Sequence, residues 1–339
     1  MKGHIDPVTR KKIADCYNIS PESLNLLHES FSHELTGQFV VKTIFEYSQE
    51  NQSYILRVTG SEYIHFSLID AELHWVNYLA DNGVNVARAV TSIRGDLVEI
   101  VEQKESKYAV VAFNKLDGKK IDFDNEQEWN EQLFQEYGKY IGRIHRLSSQ
   151  YQRLNTTSSR MNWNEQIWFA EIDRYLPESE AIIRKKLMGL LERVRQLPVD
   201  EKTFGLVHGD AHPWNLIRNQ QGLALLDFDY CENSWFVSDI AIALYYAVMK
   251  PVENQERNDF ARYFLTHFLT GYKSEYNLCP EWYEQIHLFM NLRMISKYVL
   301  RYPDWMNNTI TDQQLNVFEE WRYKSENNIP YLDVDFSDL

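Results

Sequence analysis

Three oxygen-bearing side chains, Asp210, Asn215 and Asp227, lie close together along the chain. Asn215 follows Asp210 by five positions, and Asp227 ends the apolar run 223–226. Magnesium prefers oxygen ligands and is usually held by one or two side chains together with phosphate groups. An Asn carbonyl and an Asp carboxylate suit that ion, and a further carboxylate can accept the proton of an attacking hydroxyl. These residue types predict metal-assisted phosphoryl transfer to a hydroxyl group.

The order and spacing of the three residues match the protein-kinase pattern H-R-D-x-x-x-x-N followed by the aspartate of D-F-G. In that pattern the first Asp accepts the proton of the nucleophile, and the Asn and the later Asp bind metal ions. Asp210 is therefore the predicted catalytic residue, and Asn215 and Asp227 are the predicted metal ligands. The alternative is an ordinary turn, in which Asp and Asn side chains satisfy local backbone groups. The joint pattern favours the catalytic interpretation.

The chain resembles the aminoglycoside phosphotransferase and choline kinase superfamily. Members of that superfamily carry an H-G-D-x-H-x-x-N loop, an apolar strand ending in D-F or D-W, and a D-[IL]-A at a helix start. The matching segments here are 208–215, 227–228 and 239–241. The resemblance spans residues 20–300 and implies a protein-kinase-like fold, with ATP and Mg²⁺ as cofactors. It also implies that His208 and Asp239 support the catalytic loop rather than react.

Two short apolar segments, 204–207 and 223–227, are predicted strands on either side of the catalytic loop. Between them, 218–222 has the composition of a turn. We expect the two strands to pair as a hairpin, with Asn215 between the two aspartates.

Strand patterns dominate the first part of the chain and helix patterns the second. Tyr54, Leu56 and Val58 alternate onto one face, as expected for a strand. The other predicted strands are 24–28, 39–45, 97–101 and 108–113, and the predicted helices are 7–16, 67–82, 126–147, 164–175, 178–196, 239–249, 259–273, 281–300 and 311–324. This order predicts a bilobal α+β fold. Residues 1–115 would form a sheet-rich nucleotide-binding lobe, and residues 116–339 a mainly helical lobe with the catalytic loop and the substrate site.

A cation on the ATP phosphates, oriented by a helix carboxylate, is expected in such a fold. Arg57 in the predicted strand 53–59 and Glu72 in the following helix are the candidates, and Arg can grip phosphate with two hydrogen bonds. Lys42 in the preceding strand is the rival for the phosphate contact. The alternative for Arg57 is an outward-facing side chain paired with a surface acid.

Two further nucleotide contacts are assigned from the resemblance by position. The segment 30–38 would cover the phosphates with backbone amides around Gly37, although it is not a G-x-G-x-x-G motif. Phe113 and Lys115 lie in the predicted linker, where backbone groups would contact the adenine edge. An ordinary edge strand predicts the same linker sequence.

Substrate recognition is expected from the residues that follow Asp227. Asp229, Tyr230, Glu232 and Trp235 offer carboxylates and aromatic rings suited to an amine or a polyol. Asp229 would either join a second metal ion or bind substrate, and core or capping roles remain open for Tyr230 and Trp235.

Two positions of this loop, Gly209 and Trp214, differ from patterns found in other kinase-like proteins. Gly209 stands where kinases regulated by activation-loop phosphorylation have Arg, which favours a small-molecule enzyme without such a switch. Trp214 stands where many members of the superfamily have Gly, and it is expected to shape the neighbouring surface without affecting the metal ligands.

Composition narrows the partners. The net charge of −14 argues against nucleic acid, because phosphate backbones need clustered Lys and Arg. The charge fits a cationic substrate drawn to an acidic cleft, or it serves solubility alone. The three cysteines have no C-x-x-C spacing and cannot form a disulfide framework, so we expect the protein in the reducing cytoplasm. We expect no secretory signal and no membrane span, since no apolar run approaches the ~18 residues that a span requires.

The sequence thus predicts an ATP- and Mg²⁺-dependent phosphotransferase acting on a hydroxyl of a small molecule. Aminoglycosides, amino alcohols, homoserine and sugars all remain open as acceptors. The alternatives are a protein kinase and a catalytically silent binding protein on the same fold.

Overall fold

The computed structural model describes residues 5–33, 39–61, 65–104, 106–151, 159–249, 254–307 and 310–336. Its strands are β1 (Asn25–His33), β2 (Phe39–Gln49), β3 (Gln52–Ser61), β4 (Ala89–Val90), β5 (Glu99–Gln103), β6 (Ser106–Asn114), β7 (Lys119–Lys120), β8 (Phe204–Val207), β9 (Leu216–Asn219), β10 (Gly222–Leu225) and β11 (Glu232–Trp235). Its helices are α1 (Pro7–Asp15), α2 (Phe66–Asp81), α3 (Glu131–Ser148), α4 (Ile167–Ala170), α5 (Ala181–Arg195), α6 (Val237–Ala247), α7 (Asn254–Lys273), α8 (Ile286–Asn307) and α9 (Asp312–Asn327). None of these described helices has the length and apolar character required to cross a membrane.

The chain forms two compact units, and each is assembled from separate segments. Unit 1 contains Met1–Lys119, Gln152–Met161 and Ile217–Tyr230. Unit 2 contains Lys120–Tyr151, Asn162–Leu216 and Cys231–Leu339. The predicted boundary after residue 115 differs from this division, because it assigns Gln152–Met161 and Ile217–Tyr230 to the C-terminal lobe. The functions assigned to the two lobes stay predictions.

A six-stranded antiparallel sheet organises unit 1. The strand order is β1-β2-β3-β6-β4, and β5 also pairs with β6. Leu56 and Val58 of β3 point to the face that packs on α1. The residue between them, Arg57, points to the opposite face because side chains alternate along a strand. That second face packs against Leu73 of α2, and the alternation therefore turns Arg57 toward the helix that carries Glu72.

Unit 2 is mainly helical, and its helices α3 and α7 approach each other closely. Gly138 of α3 and Gly271 of α7 lie against backbone of the opposite helix, where a Cβ atom would overlap the carbonyl of Phe268 or Gln135. α6 is apolar nearly all round and its described residues are almost entirely buried, as expected for a central helix. α6 thus lies in the core of unit 2, in a position to support the catalytic loop.

The predicted hairpin around the catalytic loop is wrong in its pairing. β8 pairs with β11, with Val207 opposite Glu232. β10 pairs instead with β9, a strand that the sequence patterns missed, and β7 extends that small sheet. Two turn residues, 220 and 221, connect β9 to β10. This short connection favours the local hairpin over the longer hairpin predicted between 204–207 and 223–227.

The predicted helix 164–175 is also wrong. The structure has a 3-10 turn at Trp163–Glu165, the short α4 and a second 3-10 turn at Ile172–Arg174. Gln166 interrupts the pattern because its backbone is extended, at φ −61° and ψ 119°. Its side-chain Nε2 donates to Glu232 Oε2 at 2.6 Å, a tertiary contact that outweighs helix propensity.

Candidate active site

The buried ion pair between Arg57 and Glu72 dominates the α2 side of the sheet in unit 1. Arg57 Nη1 and Nη2 donate to the two carboxylate oxygens of Glu72 at 2.8 and 2.9 Å. The guanidinium also lies 5.3 Å from the ring centre of Phe113. Burial alone would lower the pKa of Arg57, but the Glu72 carboxylate raises it above its usual value. The predicted pairing of the strand cation with the helix carboxylate is therefore present.

Lys42 of β2 lies on the same face of the sheet as Arg57. Lys42 is paired with Thr59 across β2 and β3, and Arg57 is two residues from Thr59, so both cations point the same way. The ammonium group of Lys42 contacts Asp229 and lies 3.4 Å from Asp227 Oδ1. Burial lowers the pKa of Lys42, and the two carboxylates more than offset this effect and raise it. Unit 1 thus brings Lys42 into contact with two carboxylates, on the face of the sheet that also carries Arg57.

Asp227 and Asp229 are neighbouring acids, and each affects the pKa of the other. Burial and the neighbouring Asp229 carboxylate raise the pKa of Asp227 to about 7. For Asp229, the attraction of Lys42 and Arg57 overcomes the effect of burial and lowers the pKa. Asp229 Oδ1 is buried without a hydrogen-bond partner among the described groups, and is an oxygen available to a cation. A metal ion at this pair would relieve the repulsion between the two carboxylates and would give Asp229 Oδ1 a partner. Both observations therefore fit a metal site.

The backbone of the Asp227–Asp229 turn has unusual geometry. Asp227 has φ +66°, in the left-handed region that a residue other than Gly rarely adopts. Such conformations persist where the surroundings hold them, often at functional sites. Arg160 is one such support: its Nη2 donates to the carbonyl of Asp229 at 2.6 Å and its Nη1 to that of Leu68 at 2.9 Å. No motif in the sequence pointed to Arg160, because the contact joins distant segments.

In unit 2, β8 leads into the catalytic loop and Asp239 holds that loop from α6. The backbone N–H groups of His208 and Gly209 donate to the two oxygens of Asp239 at 2.8 and 2.9 Å. Gly209 has φ +74°, which suits glycine because it has no Cβ. His145 of α3 lies 3.2 Å from Asp239 Oδ2. The loop backbone is therefore fixed by buried polar contacts.

Asp210 is held by two basic side chains of unit 2. Arg293 Nη2 donates to Asp210 Oδ1, and His212 Nε2 lies 3.3 Å from Oδ2. Burial alone would raise the pKa of Asp210, but Arg293, His212 and Lys297 hold it well below its usual value. Asp210 is thereby kept as a carboxylate, the form that can accept a proton. Arg293 was not a candidate from the sequence, since it lies 83 positions away.

Asn215 ends the catalytic loop in a 3-10 turn that begins at Pro213. Its side-chain Nδ2 donates to the carbonyl of Asp210 at 3.2 Å, which leaves Oδ1 as the oxygen suited to a metal ion. Trp214 beside it is 46% exposed and makes edge contacts with the rings of His212 and Tyr246. The departure from Gly at this position therefore adds an aromatic surface next to the loop.

The described residues contain no cluster of three or more His, Cys, Asp or Glu side chains arranged to bind a metal ion. Magnesium does not require one, because phosphates and water complete its coordination. Asp227 and Asp229 in unit 1 and Asn215 in unit 2 offer the oxygen donors that magnesium prefers. Each unit therefore offers donor atoms of the type that fits this ion.

The other predicted contacts have varied outcomes. Gly37 lies outside the described residues. The linker residue Lys115 was predicted to contact the adenine edge through its backbone, but its N–H donates to the carbonyl of Ser53 at 3.0 Å. Glu232 is partly buried and accepts from Gln166. Trp235 is 1% exposed and donates to Pro198, so it has the core role that the sequence left open. Tyr230 ends the 3-10 turn that starts at Phe228 and is partly buried.

Comparison with known proteins points to one family. Residues 43–276 match the family model described as "Phosphotransferase enzyme family". The chain is 32% identical over 298 residues to an amicoumacin kinase from Bacillus subtilis (strain 168), covering 87% of this chain and 88% of that protein.

Solved structures of kinases are also similar to this chain. The chain is similar to the amicoumacin kinase hAmiN in complex with AMP-PNP, Ca²⁺ and Ami, with a TM-score of 0.88 and 29% identity, covering 99% of this chain and 97% of that one. There AMP-PNP stands for ATP and Ca²⁺ for Mg²⁺. A microcompartment-associated aminopropanol kinase has a TM-score of 0.69 at 20% identity, covering 94% and 95% of the two chains, and shares the fold.

Proposed function

This chain belongs to the phosphotransferase enzyme family, and we propose that its acceptor is an antibiotic of the amicoumacin type. Membership confirms the predicted kinase-like α+β fold and the transfer of a phosphoryl group to a hydroxyl of a small molecule. ATP and a divalent metal ion are the cofactors. The acceptor is supported by 32% identity to an amicoumacin kinase across 87% of this chain, the observation that carries the proposal.

Asp210 is proposed to position the acceptor hydroxyl and to accept its proton. The hydroxyl oxygen forms a bond to the γ-phosphorus, the bond from that phosphorus to the bridging oxygen breaks, and ADP leaves. The low pKa of Asp210, maintained by Arg293, keeps the side chain ionised and therefore able to accept a hydrogen bond from the hydroxyl. A general base of this kind contributes about 10²–10⁴-fold to the rate.

Asn215 and Asp227 are proposed to hold Mg²⁺, and the unpaired oxygen of Asp229 supports a metal role for this acid also. Magnesium held there would neutralise the charge that develops on the phosphate oxygens. Arg57, held by Glu72, is proposed to bind the phosphates, and Lys42 stays the rival for that contact. These residues position and neutralise charge, so no phosphoenzyme is expected.

The proposal is tested by incubating the purified chain with Mg·ATP and amicoumacin and following ADP release and the mass of the antibiotic. The expected product is amicoumacin with one added phosphoryl group, in equal amount to ADP. Kanamycin, choline and homoserine serve as competing acceptors. Phosphorylation of choline or kanamycin with amicoumacin left unchanged would contradict the proposed acceptor.

A variant pair assigns the catalytic base. Asp210→Asn should lower turnover by about 10²-fold or more while it still binds Mg·ATP. Asp173→Asn is the matched control in the same unit, because Asp173 is 79% exposed and forms a surface ion pair with Arg184. Wild-type turnover in Asp210→Asn would remove this residue from its proposed role.

A further inference from the structure

A positively charged cluster of unit 2 surrounds the proposed catalytic base. Arg293 and Lys297 are four residues apart on α8 and therefore lie on the same face of that helix. The guanidinium of Arg293 lies 5.3 Å, and the ammonium of Lys297 5.7 Å, from the ring centre of Tyr246. We call Asp210, His212, Tyr246, Arg293 and Lys297 the acceptor-side cluster.

The acceptor-side cluster has an excess of positive charge. Arg293 and Lys297 both lie over the ring of Tyr246, and the Asp210 carboxylate that Arg293 contacts is the anion of the cluster. Arg293 bonds to that carboxylate directly, whereas the contact described for Lys297 is with the Tyr246 ring. Two cations therefore accompany one anion here, in a chain whose net charge is −14. Such a local reversal of sign disfavours an ammonium group placed beside the acceptor hydroxyl.

Two buried polar atoms of the cluster have no hydrogen-bond partner among the described residues: Arg293 Nε and His212 Nδ1. Arg293 Nε is a donor. His212 Nε2 lies 3.3 Å from the Asp210 carboxylate, and in the tautomer whose proton is on Nε2 the Nδ1 atom is an acceptor. Buried groups of this kind are normally satisfied, which points to a ligand that supplies one acceptor and one donor.

We propose that the acceptor-side cluster selects a hydroxyl compound whose neighbouring group is a carbonyl or carboxamide, and rejects one whose neighbouring group is an ammonium. The carbonyl oxygen accepts from Arg293, and Lys297 provides the charge that excludes the ammonium. This inference rests on the proposed role of Asp210 in binding the hydroxyl. It concerns only the group next to that hydroxyl and leaves the charge of the rest of the substrate open.

Glycolamide and ethanolamine test the proposal, because both carry a terminal hydroxyl two carbons from their nitrogen and differ in the group beside it. Binding of each to the chain saturated with Mg·AMP-PNP is measured by ligand-observed NMR titration. Glycolamide should bind about tenfold more tightly than ethanolamine, since a like charge close to Lys297 opposes the second compound. The overall negative charge of the chain would favour the opposite order.

Charge variants locate the effect. Lys297→Gln should reduce the preference for glycolamide several-fold, and Lys297→Glu should reverse it. Lys273→Gln is the matched control, because Lys273 also lies over a tyrosine ring of unit 2, 5.1 Å from the centre of Tyr283. This control should keep the wild-type preference.

Equal signals from the two compounds, including no signal from either, would overturn the inference, as would a preference that Lys297→Glu leaves intact. Since binding is measured without turnover, the result is separate from the proposed function. A glycolamide preference without phosphorylation of amicoumacin refutes only the proposed acceptor. Phosphorylation of amicoumacin with equal binding of the two compounds refutes only this inference.

Discussion

Removal of the Glu72 carboxylate should strongly destabilise unit 1. The side chains of Arg57 and Glu72 are only 8% and 2% exposed, and two hydrogen bonds of 2.8 and 2.9 Å join them. Glu72→Leu leaves the Arg57 cation buried without its main partner. Breaking a buried pair in this way costs about 3–5 kcal/mol, because the remaining charge keeps its desolvation penalty. Asp229 and Asp227 also attract Arg57, so we expect the lower end, about 3 kcal/mol.

Two further variants separate charge burial from loss of packing. The double variant Arg57→Met/Glu72→Leu removes both charges and should recover most of the stability, since replacing a whole buried pair is often neutral. Its turnover should stay low if Arg57 binds the phosphates. Glu46→Gln is the matched control in the same sheet: its pair with Lys115 at 2.7 Å is 23% and 32% exposed, and its loss should cost about 0–1 kcal/mol.

Urea unfolding followed by circular dichroism measures the free energy of unfolding, and coupled detection of ADP measures turnover. The reasoning is refuted if Glu72→Leu unfolds at the wild-type urea concentration, or if the double variant is as unstable as the single one. Wild-type turnover in the double variant would instead assign the phosphate contact to Lys42.

Three further results are expected. Burial alone would raise the pKa of Asp239, but the contact with His145 outweighs burial and lowers it. The ionised Asp239 therefore stabilises the fold above its unfolded pKa, and this stability is lost as pH falls. Asp239→Asn should unfold more easily at pH 7 and lose less stability than the wild type between about pH 5 and pH 2 in acid titrations. Arg160→Gln should raise the Mg²⁺ concentration for half-maximal turnover while secondary structure is retained; an unchanged Mg²⁺ titration would remove Arg160 from metal-turn support. Gly271→Ala should cost about 3 kcal/mol or more in thermal unfolding, because its Cβ overlaps the backbone of Gln135, whereas Gly189→Ala in open space should not destabilise.

Much of the site could be predicted because its signals are local. Asp210 and Asn215 lie in one loop, five positions apart, and their types and spacing already indicate metal-assisted phosphoryl transfer. The alternation of β3 likewise predicts that Arg57 turns away from Leu56 and Val58, and the structure places it against Glu72. In both cases the periodicity of the backbone determines which side chains share a face.

The sequence by itself therefore determined the chemistry of the loop and the alternation of strands and helices. Only the tertiary structure decided that β8 pairs with β11, that Arg293 bonds to Asp210 and that Arg160 holds the Asp227–Asp229 turn. Each of these contacts joins segments far apart in the chain and depends on how the core packs. No local propensity or spacing specifies such a contact, because its partners become neighbours only when the surrounding helices and strands bury their apolar faces.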